Sequence, residues 1–118
     1  MSGPRRPAQR ATIDGRKILF YLLDPDHPKG GPKARFLARF GFTRGAPELL
    51  VKALMRHFEN GDRVEVIDTE WGPRLHVGGP LWTPDGRAPM MRTVWQMTAD
   101  GSGEAAFVTV KPLRKPKD

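Results

Sequence analysis

Two separated stretches of this chain carry residues that could hold a phosphate group and move a proton. The first is DPDHPKGGPKARF, residues 24–36. His27 sits there beside Asp24 and Asp26, neighbours that would favour its protonated form. Gly30 and Gly31 lead through Pro32 into Lys33 and Arg35. The second set lies on runs that alternate like strands: Arg92 in MMRTVWQMT and Thr109 in EAAFVTVKP. Metal-free cleavage of RNA through the 2′-hydroxyl needs a base, an acid for the leaving oxygen and cations for the charge that builds on phosphorus. His27, Lys33, Arg92 and Thr109 form the candidate catalytic set. Gly30, Gly31 and Arg35 form the candidate phosphate-binding set, because glycines at a helix start let a phosphate approach the positive end. The stretch is not a P-loop: G-x-x-x-x-G-K-[ST] is absent and Pro32 removes a backbone donor.

Metal and cofactor chemistry are not expected. The chain has no cysteine, and its three histidines lack H-x-x-x-H or H-E-x-x-H spacing. His57, near the end of an amphipathic stretch, reads as a partly exposed residue compensating a helix dipole.

These residues need elements to position them. With 118 residues and 38% hydrophobic content, the chain is one domain's worth of soluble protein. No run is long and apolar enough for a membrane span or a secretory signal, so a cytoplasmic location without membrane contact is expected. A Pro/Arg-rich start, residues 1–12, reads as a disordered basic arm, residues 13–112 as one α+β domain, and residues 113–118 as a disordered basic tail. Helices are expected near 16–23, capped by Asp14; 32–40, opened by Pro32; and 46–59, ended by Gly61 as a left-handed cap. Phe36, Phe40, Leu50, Leu54 and Trp95 should form the core. After Gly61 four β-rich runs are separated by short turns, which favours an antiparallel meander. The expected fold is therefore α+β, three N-terminal helices packed on a four-stranded antiparallel sheet. Period-two alternation puts Arg74 with His76, Arg92 with Gln96, and Thr109 with Lys111 on polar faces, and the register decides whether those faces merge.

The net charge is +7, but both chain ends contribute much of it. Between them, residues 29–56 hold seven basic residues against Glu48, whereas residues 57–110 hold four basic and eight acidic ones.

The chain resembles an uncharacterised bacterial domain family. YLLDPDHPKGGPKARFLARFGF matches its Leu-x-Pro-x-His-Pro-x-Gly-x-x-Lys-Ala-x-Phe signature, and GPLWTPDGRAPMMRTVW followed by FVTVKP matches its later half. Leu37 departs from an expected phenylalanine and Lys111 from an expected aromatic. The layout is similar to the barnase/EndoU/colicin/RelE-like nucleases. That resemblance implies a toxin-type RNase module, with RNA as substrate and a cognate antitoxin or immunity-type protein as partner. The charge pattern also fits a non-catalytic module that binds nucleic acid or protein, and oligomeric state is open.

Overall fold

A computed structural model describes residues 10–98 and 103–113. Asp14 starts the first helix by accepting from the Arg16 amide at 2.9 Å. This helix opens as α1 (Gly15–Lys17) and widens into a π-helical turn (Ile18–Leu22), closed by the Leu23 amide on the Ile18 carbonyl at 2.9 Å. Pro25 follows, where a helix could not continue. α2 (Gly31–Ala38) carries Pro32 in its first turn, where the missing N–H has no helical partner to lose. α3 (Pro47–Asn60) buries Leu50, Ala53, Leu54, His57 and Phe58 along one face.

Four strands follow in meander order: β2 (Arg63–Thr69), β3 (Gly72–Pro80), β4 (Met90–Met97) and β5 (Glu104–Pro112). Each pairs antiparallel with the next. The sheet nevertheless has five strands, in the order β1-β5-β4-β3-β2, because β1 (Arg10–Thr12) pairs parallel with β5. Three residues expected in the arm are thus part of the sheet, and a strand precedes the helices. β1 is too short to show periodicity, and its partner lies at the far end of the chain, so no local turn announces it. The rest of the expected arm, and residues 114–118 of the tail, lie outside the described residues.

The core gathers Ile18, Leu22, Leu37, Leu50, Leu54 and Trp95 with the inward residues of β3, β4 and β5. Phe36 and Phe40 are only half-buried at its margin and pack on each other at 5.1 Å. In α2 the face turned inward is that of Ala34 and Leu37. The left-handed glycine cap sits at Gly41 (φ 101°), after α2. Gly61 has φ −59°, and a Cβ there would meet Val77 Cγ1 at 2.3 Å, so close approach to β3 selects it.

His57 is buried. Its Nε2 donates to the Gly79 and Met91 carbonyls, both at 3.0 Å, and its Nδ1 accepts from Thr93 Oγ1 at 2.8 Å. Thr93 Oγ1 in turn accepts from Trp95 Nε1 at 2.8 Å. The expected exposed, dipole-compensating histidine is instead a cross-brace between α3 and the sheet.

Candidate functional site

The signature stretch folds on itself before it reaches the sheet. The Lys29 and Gly30 amides donate to His27 Nδ1 at 3.0 and 2.9 Å, the Gly31 amide to the His27 carbonyl at 2.8 Å, and the Asp26 amide to Asp24 Oδ1 at 3.0 Å. The lone pair of Nδ1 is thereby engaged, and the ring packs edge-on against Tyr21 at 4.8 Å. A Cβ on Gly30 would lie 2.4 Å from the Tyr21 carbonyl oxygen, and one on Gly31 2.6 Å from that of Pro25. Arg35 Nη1 closes the turn on the Pro25 carbonyl at 2.8 Å. Four of the seven sequence-derived site residues therefore build a rigid turn that fixes where α2 begins.

Lys33 leaves this turn and crosses to the sheet. Its Nζ donates to Thr109 Oγ1 at 2.5 Å. The register then defines what surrounds Thr109. Directly paired residues of antiparallel strands project from the same face, Cβ atoms about 5 Å apart. Three rungs follow: Arg74–Gln96–Ala106, His76–Val94–Thr109 and Gly78–Arg92–Lys111. They lie on the face opposite to Leu75, Val77, Thr93 and Trp95, hence turned away from α3. Lys111 pairs with Arg92, and Arg92 is diagonal to Thr109. His76 is two strands from Thr109, roughly 10 Å by strand spacing. A register shift between Val94 and Trp95 lets β5 skip Val108, and this irregularity sits beside the Thr109 rung.

Positive charge gathers on and beside this face. Burial pushes the Lys33 ammonium below its usual range, and Lys111 and Lys17 push it further. Its stem borders a small groove of about 160 Å³ with Phe36, Leu37, Met91 and Val110. Burial likewise lowers Lys17, partly offset by Asp14 and reinforced by Arg74. His76 is lowered by burial first, then by Arg92, with Arg74 and Lys111 adding and Glu65 opposing. Its Nδ1 is buried and has no hydrogen-bond partner among the described residues. None of Lys17, Lys33, Arg74, Arg92 and Lys111 forms an ion pair among the described residues, where the pairs are Arg10–Glu104 and Arg87–Asp85. Asp14 and Glu65 offset part of this charge, and the repulsion that remains raises the cost of the folded state.

Residues 5–114 match the family described as Domain of unknown function (DUF6883). The chain belongs to this family. Both the DUF6883 signature turn and the cationic rungs fall within the matched span. No curated protein matches the chain. One solved structure similar to it is titled a contact-dependent growth inhibition toxin–immunity protein complex from Klebsiella pneumoniae 342, with a TM-score of 0.67 at 14% identity over 86% of this chain and 98% of that one. At that identity the likeness is one of fold.

On this DUF6883 fold, Lys33, Arg92 and Thr109 come together, whereas the hydrogen bonds and ring contact of His27, Gly30, Gly31 and Arg35 stay within the turn and its neighbour Tyr21. His76, Lys111, Arg74 and Lys17 join the first group. Alternation alone had put His76 and Lys111 on polar faces; only the register merges those faces into one. Among the described residues no group of histidine and carboxylate side chains could hold a metal ion, and no helix is long and apolar enough to cross a membrane.

Proposed function

We propose that the cationic sheet face is a metal-independent RNA-cleaving site of a toxin-type module. The observation that carries this reading is the Lys33–Thr109 contact, which brings the signature helix onto a face holding unpaired cations and His76. In the proposed reaction the neutral His76 ring takes the proton of the 2′-hydroxyl at Nε2, its Nδ1 being buried. The 2′-oxygen bonds to phosphorus, the bond to the 5′-oxygen breaks, and that oxygen takes a proton from the Lys33 ammonium. The products are a 2′,3′-cyclic phosphate and a 5′-hydroxyl. Arg92 and Lys111 hold the non-bridging oxygens, and the Thr109 hydroxyl, accepting from Lys33, donates its own proton to one of them. The lowered His76 value leaves that ring neutral and able to accept a proton near pH 7, and the lowered Lys33 value makes its ammonium a better donor. The fold neighbour's title names a toxin–immunity complex, which supports an immunity-type protein as partner.

The test is incubation of the purified chain with total RNA in chelator. Cleavage ending in cyclic phosphates is expected, falling about 100-fold or more in Lys33→Ala while the thermal transition persists. A folded protein that binds RNA without cutting it would reduce the face to a binding surface.

A further inference from the structure

The GPLWTPDGR segment has a structural task at almost every side chain. Leu81 and Thr83 are buried, and Thr83 Oγ1 donates to Asp85 Oδ1 at 2.7 Å. Asp85 accepts from the Arg87 amide at 3.0 Å and from Arg87 Nε at 2.5 Å. Arg87 reaches the Arg39 carbonyl after α2 and lies over the Phe40 ring at 4.4 Å. Trp82 is the exception. Between two buried residues its indole stands 41% exposed, steadied from one side by Phe42 in an edge contact at 6.5 Å. It borders an open groove of about 220 Å³ whose floor is Leu49 and Ala53 and whose rim is Lys52 and Arg56. Lys52 and Arg56 are four residues apart on α3, so they share a helix face, and neither forms an ion pair among the described residues.

We infer that this groove is a second RNA contact, in which one base of a single strand stacks on Trp82 while Lys52 and Arg56 hold its phosphates. This rests on the RNA reading of the sheet face. An exposed aromatic on a braced loop beside unpaired cations is the arrangement by which single-stranded nucleic acid is held without sequence preference. The floor accepts a flat apolar surface, and the rim supplies charge opposite to a phosphate's. α3 packs on the other face of the sheet from the cationic rungs, so the two contacts lie on different sides of a molecule measuring 37 × 34 × 27 Å. A strand long enough to pass around the sheet touches both, and a dinucleotide touches one. The groove therefore makes the protein prefer long single strands.

The test measures binding of fluorescent 2′-O-methyl RNA, which has no 2′-hydroxyl to react, as a dinucleotide and as a 10-mer. For the wild type the 10-mer should bind at least about 10-fold more tightly, the range expected from stacking one base. In Trp82→Ala that ratio should collapse toward one. Lys52→Ala/Arg56→Ala, which leaves the core intact, should do the same and flatten the salt dependence of 10-mer binding. If the wild type cleaves ordinary RNA but the ratio survives in both variants, the groove assignment is overturned and the reaction site stands. If the wild type neither cleaves nor binds RNA, both fall. Binding of poly-glutamate that is lost in the variants, with RNA binding untouched, would give the groove to an acidic protein and overturn the RNA assignment.

Discussion

At the scale of single residues, the two histidines outside the core divide into a builder of the turn and the base of the proposed reaction. His27 accepts two backbone amides, and among the described residues no carboxylate hydrogen-bonds to its ring; the Asp24 carboxylate caps the turn instead. His76 has a buried Nδ1 without a hydrogen-bond partner among the described residues and is faced by Glu65 from β2, Arg74 from its own strand, Arg92 from β4 and Lys111 from β5. His76→Gln should therefore lower kcat about 10²–10⁴-fold and erase the acid limb of the pH–rate profile. In the wild type that limb should lie below the usual histidine value of 6.5, since burial first and then the surrounding cations depress it. Activity rises as His76 loses its proton and falls again where Lys33, itself lowered, loses its own. His27→Ala should instead leave the acid limb in place and cost about 1–2 kcal/mol of stability in denaturant melts, as two amides lose their acceptor. An acid limb that follows His27 and not His76 would reverse these roles. Residue type and alternation single out Lys33, Arg92 and Thr109, and the fold places them on one face. What engages the His27 ring is not legible in the sequence, because ring hydrogen bonds depend on the fold of a turn and no spacing rule encodes them.

Elements turn those residues into a site, and their boundaries follow from punctuation the sequence displays. Asp14, Pro32 and Pro47 mark helix starts, and the meander follows from short turns. What sequence could not supply was pairing at a distance: β1 on β5, Lys33 on Thr109, and His57 on Thr93 across 36 residues. The last of these joins the two carbonyl bonds of His57 Nε2 in bracing α3 against the sheet. Thr93→Val keeps the volume and removes the hydroxyl, leaving His57 Nδ1 and Trp95 Nε1 buried without this partner. A loss of about 2–5 kcal/mol is expected, measured by urea unfolding; a loss below about 1 kcal/mol would show the network to be decorative. The 81–87 loop makes a pH-dependent claim. Asp85 is held down to about 2, first by the Arg87 amide and then by Thr83 and the Arg87 guanidinium. Its folded value lies below the ordinary 3.8, so its stabilising effect is present above about 4 and is lost as pH falls toward 2. Melting temperature against pH should drop across that window, and Asp85→Asn should be less stable at neutral pH and flatter below it. Equal slopes in the two proteins would mean that other carboxylates govern acid unfolding.

For the whole molecule, the distribution of charge matters more than its total. The +7 is divided between basic chain ends, the helical half and the rungs of the sheet face, and Lys17, Lys33 and His76, on or beside the rungs, combine burial with repulsion from neighbouring cations. Lys17, Lys33 and His76 are all lowered, so the unfolded chain binds protons more readily than the folded one through the range between their folded and ordinary values. Stability from these groups consequently rises with pH across that range, and below it the folded protein bears the full cost of the crowded cations. An anion seated among them reverses the sign of this effect: it favours the protonated forms and binds only the native state, adding RT ln(1 + [L]/Kd) to stability. Inorganic phosphate at millimolar concentration should thus raise the melting temperature at fixed pH. Sodium chloride at matched ionic strength provides the screening control, since it weakens repulsion without occupying a defined site. Lys33→Ala/Arg92→Ala should lose most of the phosphate-specific increment, as the two sides of the proposed seat are then removed together. If phosphate and chloride stabilise the wild type equally, the face is merely a crowded surface relieved by salt, and the anion site that both the cleavage chemistry and the longer RNA path require does not exist.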